Sequence, residues 1–160
     1  MHGVAHKITG LCAGVLCGGW LHSMGHGMPE VIATAAFFAG SAPDYLEFPV
    51  KTKFGGQTRL IAHRTWTHWV PPWIALLGVG AVELYLYNSL LANAIVGFAV
   101  GGLTHLCMDI PNPKGVWLLL PRRPVSLKLW KSGSGDLLIS AACLAAAWPV
   151  AKQLIEEAVL

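Results

Sequence analysis

The sequence predicts an all-α fold: a polytopic membrane bundle of about five helices, with a small surface hairpin between the fourth and the fifth, in one domain over residues 1–160. Three observations carry this. The AVILMFWYC class makes up 54% of the chain and mean hydropathy is +0.55. Charged residues are 12%, where soluble domains average about 25%. The apolar residues also fall in long runs instead of being scattered. Eleven basic and eight acidic side chains are too few to solvate a whole globular surface. Disorder requires the opposite composition, and a net charge of +3 is weak for nucleic-acid binding, so no nucleic-acid partner is expected.

The first apolar segment runs from Ile8 to about Met24 and carries no formal charge. Lys7 before it mimics a signal peptide. No small-residue cleavage site closes the run, so it is expected to be a retained helix. Gly10, Gly14 and Gly18 lie four apart, a stripe that allows close helix approach and is a candidate surface for pairing with a second copy. The second segment, Val31–Ala42, lies between Pro29 and Pro43 and is short for the roughly 20 residues a span needs. The third, Trp69–Tyr87, holds one charge, Glu83. A tight turn at Asn88-Ser89 leads to the fourth, Ser89–Met108, and the fifth runs from Leu137 to about Ile155, interrupted by Pro149 and Lys152. The four cysteines, Cys12, Cys17, Cys107 and Cys143, make no CxxC pair and read as small core residues.

Two polar segments, Asp44–His68 and Asp109–Asp136, separate these runs. In the second, Trp117–Leu120 and Val125–Trp130 read as extended stretches around Pro121-Arg122-Arg123-Pro124, a hairpin lying at the membrane surface. If each run crosses the bilayer, both polar segments and the N-terminus share one face. Ten of the eleven Lys and Arg residues lie there, all but Lys152. The positive-inside rule makes that face cytoplasmic.

The same face gathers the metal-type ligands. His6 opens the first helix, Asp44 follows the second, and His63 and His68 precede the third. His105 and Asp109 close the fourth, and Asp136 opens the fifth. His105 and Asp109 are four apart and share a helix face. Imidazole and carboxylate suit zinc or another divalent ion, one or more in number. Ionisable groups at membrane depth are costly, so function is their default explanation. His22 and His26 lie at the other end of the first helix and read as interfacial. Glu47 is a candidate general base or a carboxylate supporting a ligand, and Arg64 a candidate binder of an anionic substrate.

These residues resemble the YdjM/DUF457 family of bacterial inner-membrane, metal-dependent hydrolases. The matching pieces are Ala5-His6-Lys7-Ile8-Thr9-Gly10, Ala42-Pro43-Asp44, His63-Arg64-Thr65-Trp66-Thr67-His68, Gly102-Leu103-Thr104-His105-Leu106-Cys107-Met108-Asp109 and Gly133-Ser134-Gly135-Asp136. They cover nearly the whole chain, in order. The family pattern often has a second Asp two residues after Pro-Asp, where this chain has Leu46 and then Glu47. It usually has Glu where this chain has Asp136. The family is also distantly similar to zinc-dependent phospholipase C and the S1/P1 nucleases, which implies phosphoester hydrolysis by analogy.

The expected function is therefore hydrolysis of a small-molecule or lipid phosphoester at the cytoplasmic face of the bacterial inner membrane, beside membrane lipid. A divalent ion would acidify water and polarise the substrate oxygen. Arg64, with Arg122 and Arg123, would offset substrate charge. The alternative is a metal transporter or sensor without catalysis. It would need polar residues continuing through the bilayer, and only Thr9, Thr34, Glu83, Asn93 and Ser140 stand there.

Overall fold

The apolar runs become helices where hydropathy puts them. A computed structural model describes residues 3–51, 57–62, 64–129, 131 and 133–159. In chain order the elements are α1 (Gly3–Ser23), α2 (Pro29–Ala39), α3 (Ala42–Tyr45), β1 (Pro49–Lys51), β2 (Gln57–Arg59), a 3-10 turn (Trp66–His68), α4 (Val70–Tyr87), α5 (Leu90–Asp109), β3 (Val116–Trp117), β4 (Pro124–Val125) and α6 (Asp136–Val159). Among the described residues, α1, α4, α5 and α6 are long and apolar enough to cross a membrane.

α2 packs between α1 and α5, while α4 lies on α5 and α6 lies on α1. The outer helices leave most of their apolar surface exposed: Val79 and Val82 on α4, and Leu137, Leu138 and Leu144 on α6. In a bilayer that surface faces lipid, so hydrophobicity places the helices in the membrane and close packing holds the centre together.

The second segment departs from expectation. α2 has 11 residues, a rise of about 16 Å against a hydrocarbon core of about 30 Å, so it does not span alone. Its Ile32, Ala36 and Ala39 are fully buried, and protein, not lipid, covers it. The glycine stripe of α1 makes this possible. A Cβ on Gly10 or Gly14 would meet Ala36, and one on Gly18 would meet Pro29. The surface expected to pair two copies is filled by α2 of the same chain.

The backbone at the start of α2 needs partners, because an unpaired amide in hydrocarbon costs several kcal/mol, on the order of a lost hydrogen bond. Met28 offers no side-chain cap. Asn93, buried on α5, accepts the Met28 N–H at 2.6 Å and donates to Ser89 O at 2.8 Å. Asn88 Oδ1 accepts the Gly27 N–H at 3.0 Å. Asn88 itself ends α4 in the left-handed region, φ 43°, and Ser89 caps α5 by accepting from Ala92 N at 3.1 Å. The expected tight turn thus also anchors α2.

α2 stops at Ala39 because Pro43 lacks the N–H that a continuing helix would bond back to Ala39. The chain breaks at Gly40-Ser41 and resumes as α3. Gly40 is required here, since a Cβ would collide with the backbone of His6.

The expected hairpin forms in shorter form: Val116 pairs with Val125 and Trp117 with Pro124, antiparallel. Trp117 is not an interfacial residue but is buried. Beyond β4 the chain leaves the hairpin and bonds to the end of α5, with Leu127 N to Ile110 O at 3.0 Å and Leu129 N to Pro111 O at 2.9 Å. A second hairpin, β1 with β2, was not expected. Pro149, which interrupts the fifth apolar run, lies inside a continuous α6.

Candidate metal centre

The ends of α1, α2 and α5 and the start of α4 meet at one end of the bundle. His6 lies in the first turn of α1, His105 and Asp109 in the last turn of α5, Asp44 in α3, and His68 closes the 3-10 turn before α4. His6, His68, His105 and Asp109 are at most 2% exposed, whereas the Asp44 side chain is 35% exposed. The opening is therefore on the Asp44 side.

Five side chains aim acceptor atoms at a common volume. His68 Nε2 and His105 Nε2 are 3.3 Å apart. Asp109 Oδ2 lies 3.7 Å from His68 Nε2 and 3.8 Å from His105 Nε2, and Asp109 Oδ1 lies 3.7 Å from His6 Nε2. Asp44 Oδ1 is 3.7 Å from His68 Nε2. His6 stacks on His105 with ring centroids 3.9 Å apart. Two groups of three ligand atoms, His6/His105/Asp109 and Asp44/His68/His105, lie within 4.8 Å of one another. Two nitrogens each about 2.0 Å from a tetrahedral zinc are about 3.3 Å apart, so the His68–His105 separation is that of two ligands on one ion.

The surrounding hydrogen bonds orient the rings. His105 Nδ1 lies 2.8 Å from Gly40 O. A carbonyl only accepts, so Nδ1 carries the proton and Nε2 presents a lone pair. Gly40 O is available because α2 ends there and leaves its last carbonyls unbonded. His68 Nδ1 lies 3.1 Å from Thr67 Oγ1 and 3.4 Å from Glu47 Oε1. Proton donation to these oxygens turns its Nε2 inward as a second lone pair. With the rings in these tautomers, two imidazole nitrogens and two carboxylates present lone pairs that a divalent ion can accept, with Arg64 offsetting part of the Asp109 charge. The donor set therefore fits a divalent metal, with each of these imidazoles oriented through its outer nitrogen.

Glu47 stands behind a candidate ligand, the second of the two roles expected of it, and Arg64 stands against Asp109. Glu47 is fully buried. It pairs with Arg59 at the end of β2 and accepts the Arg64 N–H at 2.9 Å. It contacts the outer nitrogen of His68 at 3.4 Å, where it can orient that ring. Arg64, with φ 62°, places Nη2 2.7 Å from Asp109 Oδ2 and donates from Nη1 to Gly115 O at 3.3 Å. Its guanidinium holds Asp109 instead of presenting itself to an anion. Arg122 and Arg123 are exposed in the turn between β3 and β4.

Asp136 is half-buried at the start of α6 and belongs to neither ligand group. His63 lies outside the described residues. Three supporting groups were missed in the sequence: Gly40, Thr67 and Asn112, whose Nδ2 donates to Asp109 Oδ1 at 2.7 Å. Thr67 stands in the His-Arg-x-x-Thr-His piece and could have been found from it. Gly40 acts through its carbonyl, and residue type carries no signal of that. At the opposite end of the bundle, His22 Nε2 lies 3.3 Å from Glu157 Oε2, both about half exposed.

Over residues 1–160 the chain matches the family described as YdjM inner membrane protein. No curated protein and no solved structure matches it.

Proposed function

The chain belongs to the YdjM inner membrane protein family, and from that premise we propose that it is a membrane-bound, metal-dependent hydrolase of a lipid-like phosphoester, working at the cytoplasmic surface. The observation that carries the reading is the inward convergence of the His68 and His105 lone pairs, 3.3 Å apart, with the buried Asp109. His6, His68, His105, Asp109 and Asp44 would hold the ion, and zinc suits this donor set. His63 and Asp136 stand at the same end of the sequence pattern and are proposed as further ligands.

A bound divalent ion supplies Lewis acidity and brings the pKa of water to about 7. The protein does the rest. Gly40 O and Glu47 hold the His105 and His68 rings in register. Arg64 and Arg59 pair with Asp109 and Glu47 and offset their charges. Asp44, the exposed member, faces the side from which substrate and water arrive. In the reaction, water's oxygen bonds to phosphorus, the ester P–O bond breaks, and a proton from the water passes to the leaving oxygen.

The test is elemental analysis of detergent-purified protein, followed by assay against phospholipids, lipid phosphates, nucleotides and acyl esters. We expect bound zinc, and turnover of a phosphoester that a chelator abolishes and a divalent ion restores. Bound metal with no turnover beyond a His68→Ala control would leave a transporter or sensor as the better reading. Reporter fusions check orientation, with the N-terminus expected in the cytoplasm and the C-terminus on the opposite face.

A further inference from the structure

Beside the ligand cluster, on the outer face formed by α4 and α5, runs a groove of about 300 Å³ lined by Leu46, Trp66, Thr67, Pro72, Trp73, Leu76 and Phe98. Thr67 is its single polar side chain among the described residues, and the Thr67 hydroxyl is turned to Glu47 and His68. The groove is therefore a hydrocarbon surface on a membrane-spanning face, yet its upper wall is built from residues adjoining the candidate ligands. Leu46 lies two residues after Asp44, and Thr67 immediately precedes His68.

The groove floor is built as well as open. Trp73 packs where Gly102 has no side chain, a place a Cβ would occupy. Its Nε1 donates to Thr67 O at 3.0 Å, and its ring stacks on Phe98 with centroids 5.6 Å apart. The indole thus has its polar atom satisfied and its face fixed. Phe98 is seven residues before His105 on α5, about 10 Å along the helix. The groove descends from the site level toward the bilayer interior over that length. Trp66, 58% exposed, flanks the mouth, where an amphipathic ring suits the headgroup boundary.

Resting on the hydrolase reading above, we propose that this groove takes one hydrocarbon chain of a membrane phospholipid while its phosphate reaches the candidate metal centre through the opening at Asp44. Two features select this occupant. The groove is continuous with the site at Leu46 and Thr67, and it lies on a face already surrounded by lipid chains. Substrate selection would then rest on length and apolar contact, with the phosphate supplied at a fixed depth.

The experiment uses the full chain in nanodiscs containing phosphatidic acid with a diazirine on one acyl chain, the labelled residues being located by mass spectrometry. We expect label concentrated on Leu76 and Phe98, and lost when diacylglycerol carrying the same diazirine replaces the phosphate lipid. Equal label on Val79, Val82 and Leu144, or label at the groove that ignores the phosphate, would overturn the proposal, because general boundary lipid gives that pattern. Leu76→Trp, which narrows the groove, should raise KM for a long-chain phosphoester about tenfold, the loss of roughly two buried methylenes. KM for a water-soluble phosphoester should not change. Equal effects on both substrates would also overturn it. Absence of turnover on either substrate would count against the hydrolase reading alone, and the labelling map would still decide the groove.

Discussion

The two ends of this bundle carry the same chemistry and use it differently. At one end His6, His68, His105 and Asp109 are buried and their acceptor atoms converge. At the other, His22 and Glu157 pair at 3.3 Å while about half exposed. In solvent such a pair contributes little, since screening and side-chain entropy offset the attraction. At the buried end three of these side chains are backed by partners: Gly40 O for His105, Glu47 and Thr67 for His68, Arg64 and Asn112 for Asp109, while the outer Nδ1 of His6 has none among the described residues. The contrast shows that histidine and carboxylate become a candidate metal centre through the partners behind them.

The strongest way to break this contrast is to remove a ligand at each end. His105→Ala should abolish stoichiometric metal in purified protein, whereas His22→Ala should leave it unchanged, as read by elemental analysis. Equal metal in both variants would mean that the two ends do not differ.

A finer comparison changes the supporting carboxylates. Glu47→Gln removes the charge behind His68 and should weaken metal affinity about 10–100-fold. Competition with a calibrated chelator measures this. Glu157→Gln at the far end should give the wild-type value. An unchanged affinity in Glu47→Gln would show that Thr67 alone orients His68.

The smallest effect tests whether the far end is structural. Asn93→Ala removes the acceptor of the Met28 N–H and should lower stability by about 1–2 kcal/mol, seen as a lower unfolding midpoint in detergent. Metal content should remain at the wild-type level. Loss of metal without loss of stability would reverse the assignment of the two ends.

Much of the fold was legible because a bilayer demands long apolar runs, and those runs bound α1, α4, α5 and α6 closely. The stacking of His105 and Asp109 was legible too, because i and i+4 share a helix face. The shortness of α2 was legible, but its enclosure by α1 and α5 was not, since a short buried helix and a short span have the same composition. For Glu47 the sequence left a base and a supporting carboxylate both open. Its burial depends on Arg59 and Arg64, brought to it across 12 and 17 residues by a hairpin and a turned backbone. Asn93 read as a stray polar group in a membrane helix, because the amide it caps is 65 residues away in sequence.

By itself the sequence determined the solvent of this protein, its helical class and the end at which its ligands gather. Hydropathy and helical period are local properties, and each run carries them without its neighbours. The tertiary structure alone decided that α2 is enclosed, that Glu47 and Arg64 serve as supports, and that the His68 and His105 lone pairs face each other. Those outcomes depend on side-chain direction and on partners distant in the chain. Burial and hydrogen bonding set them only after the helices have packed.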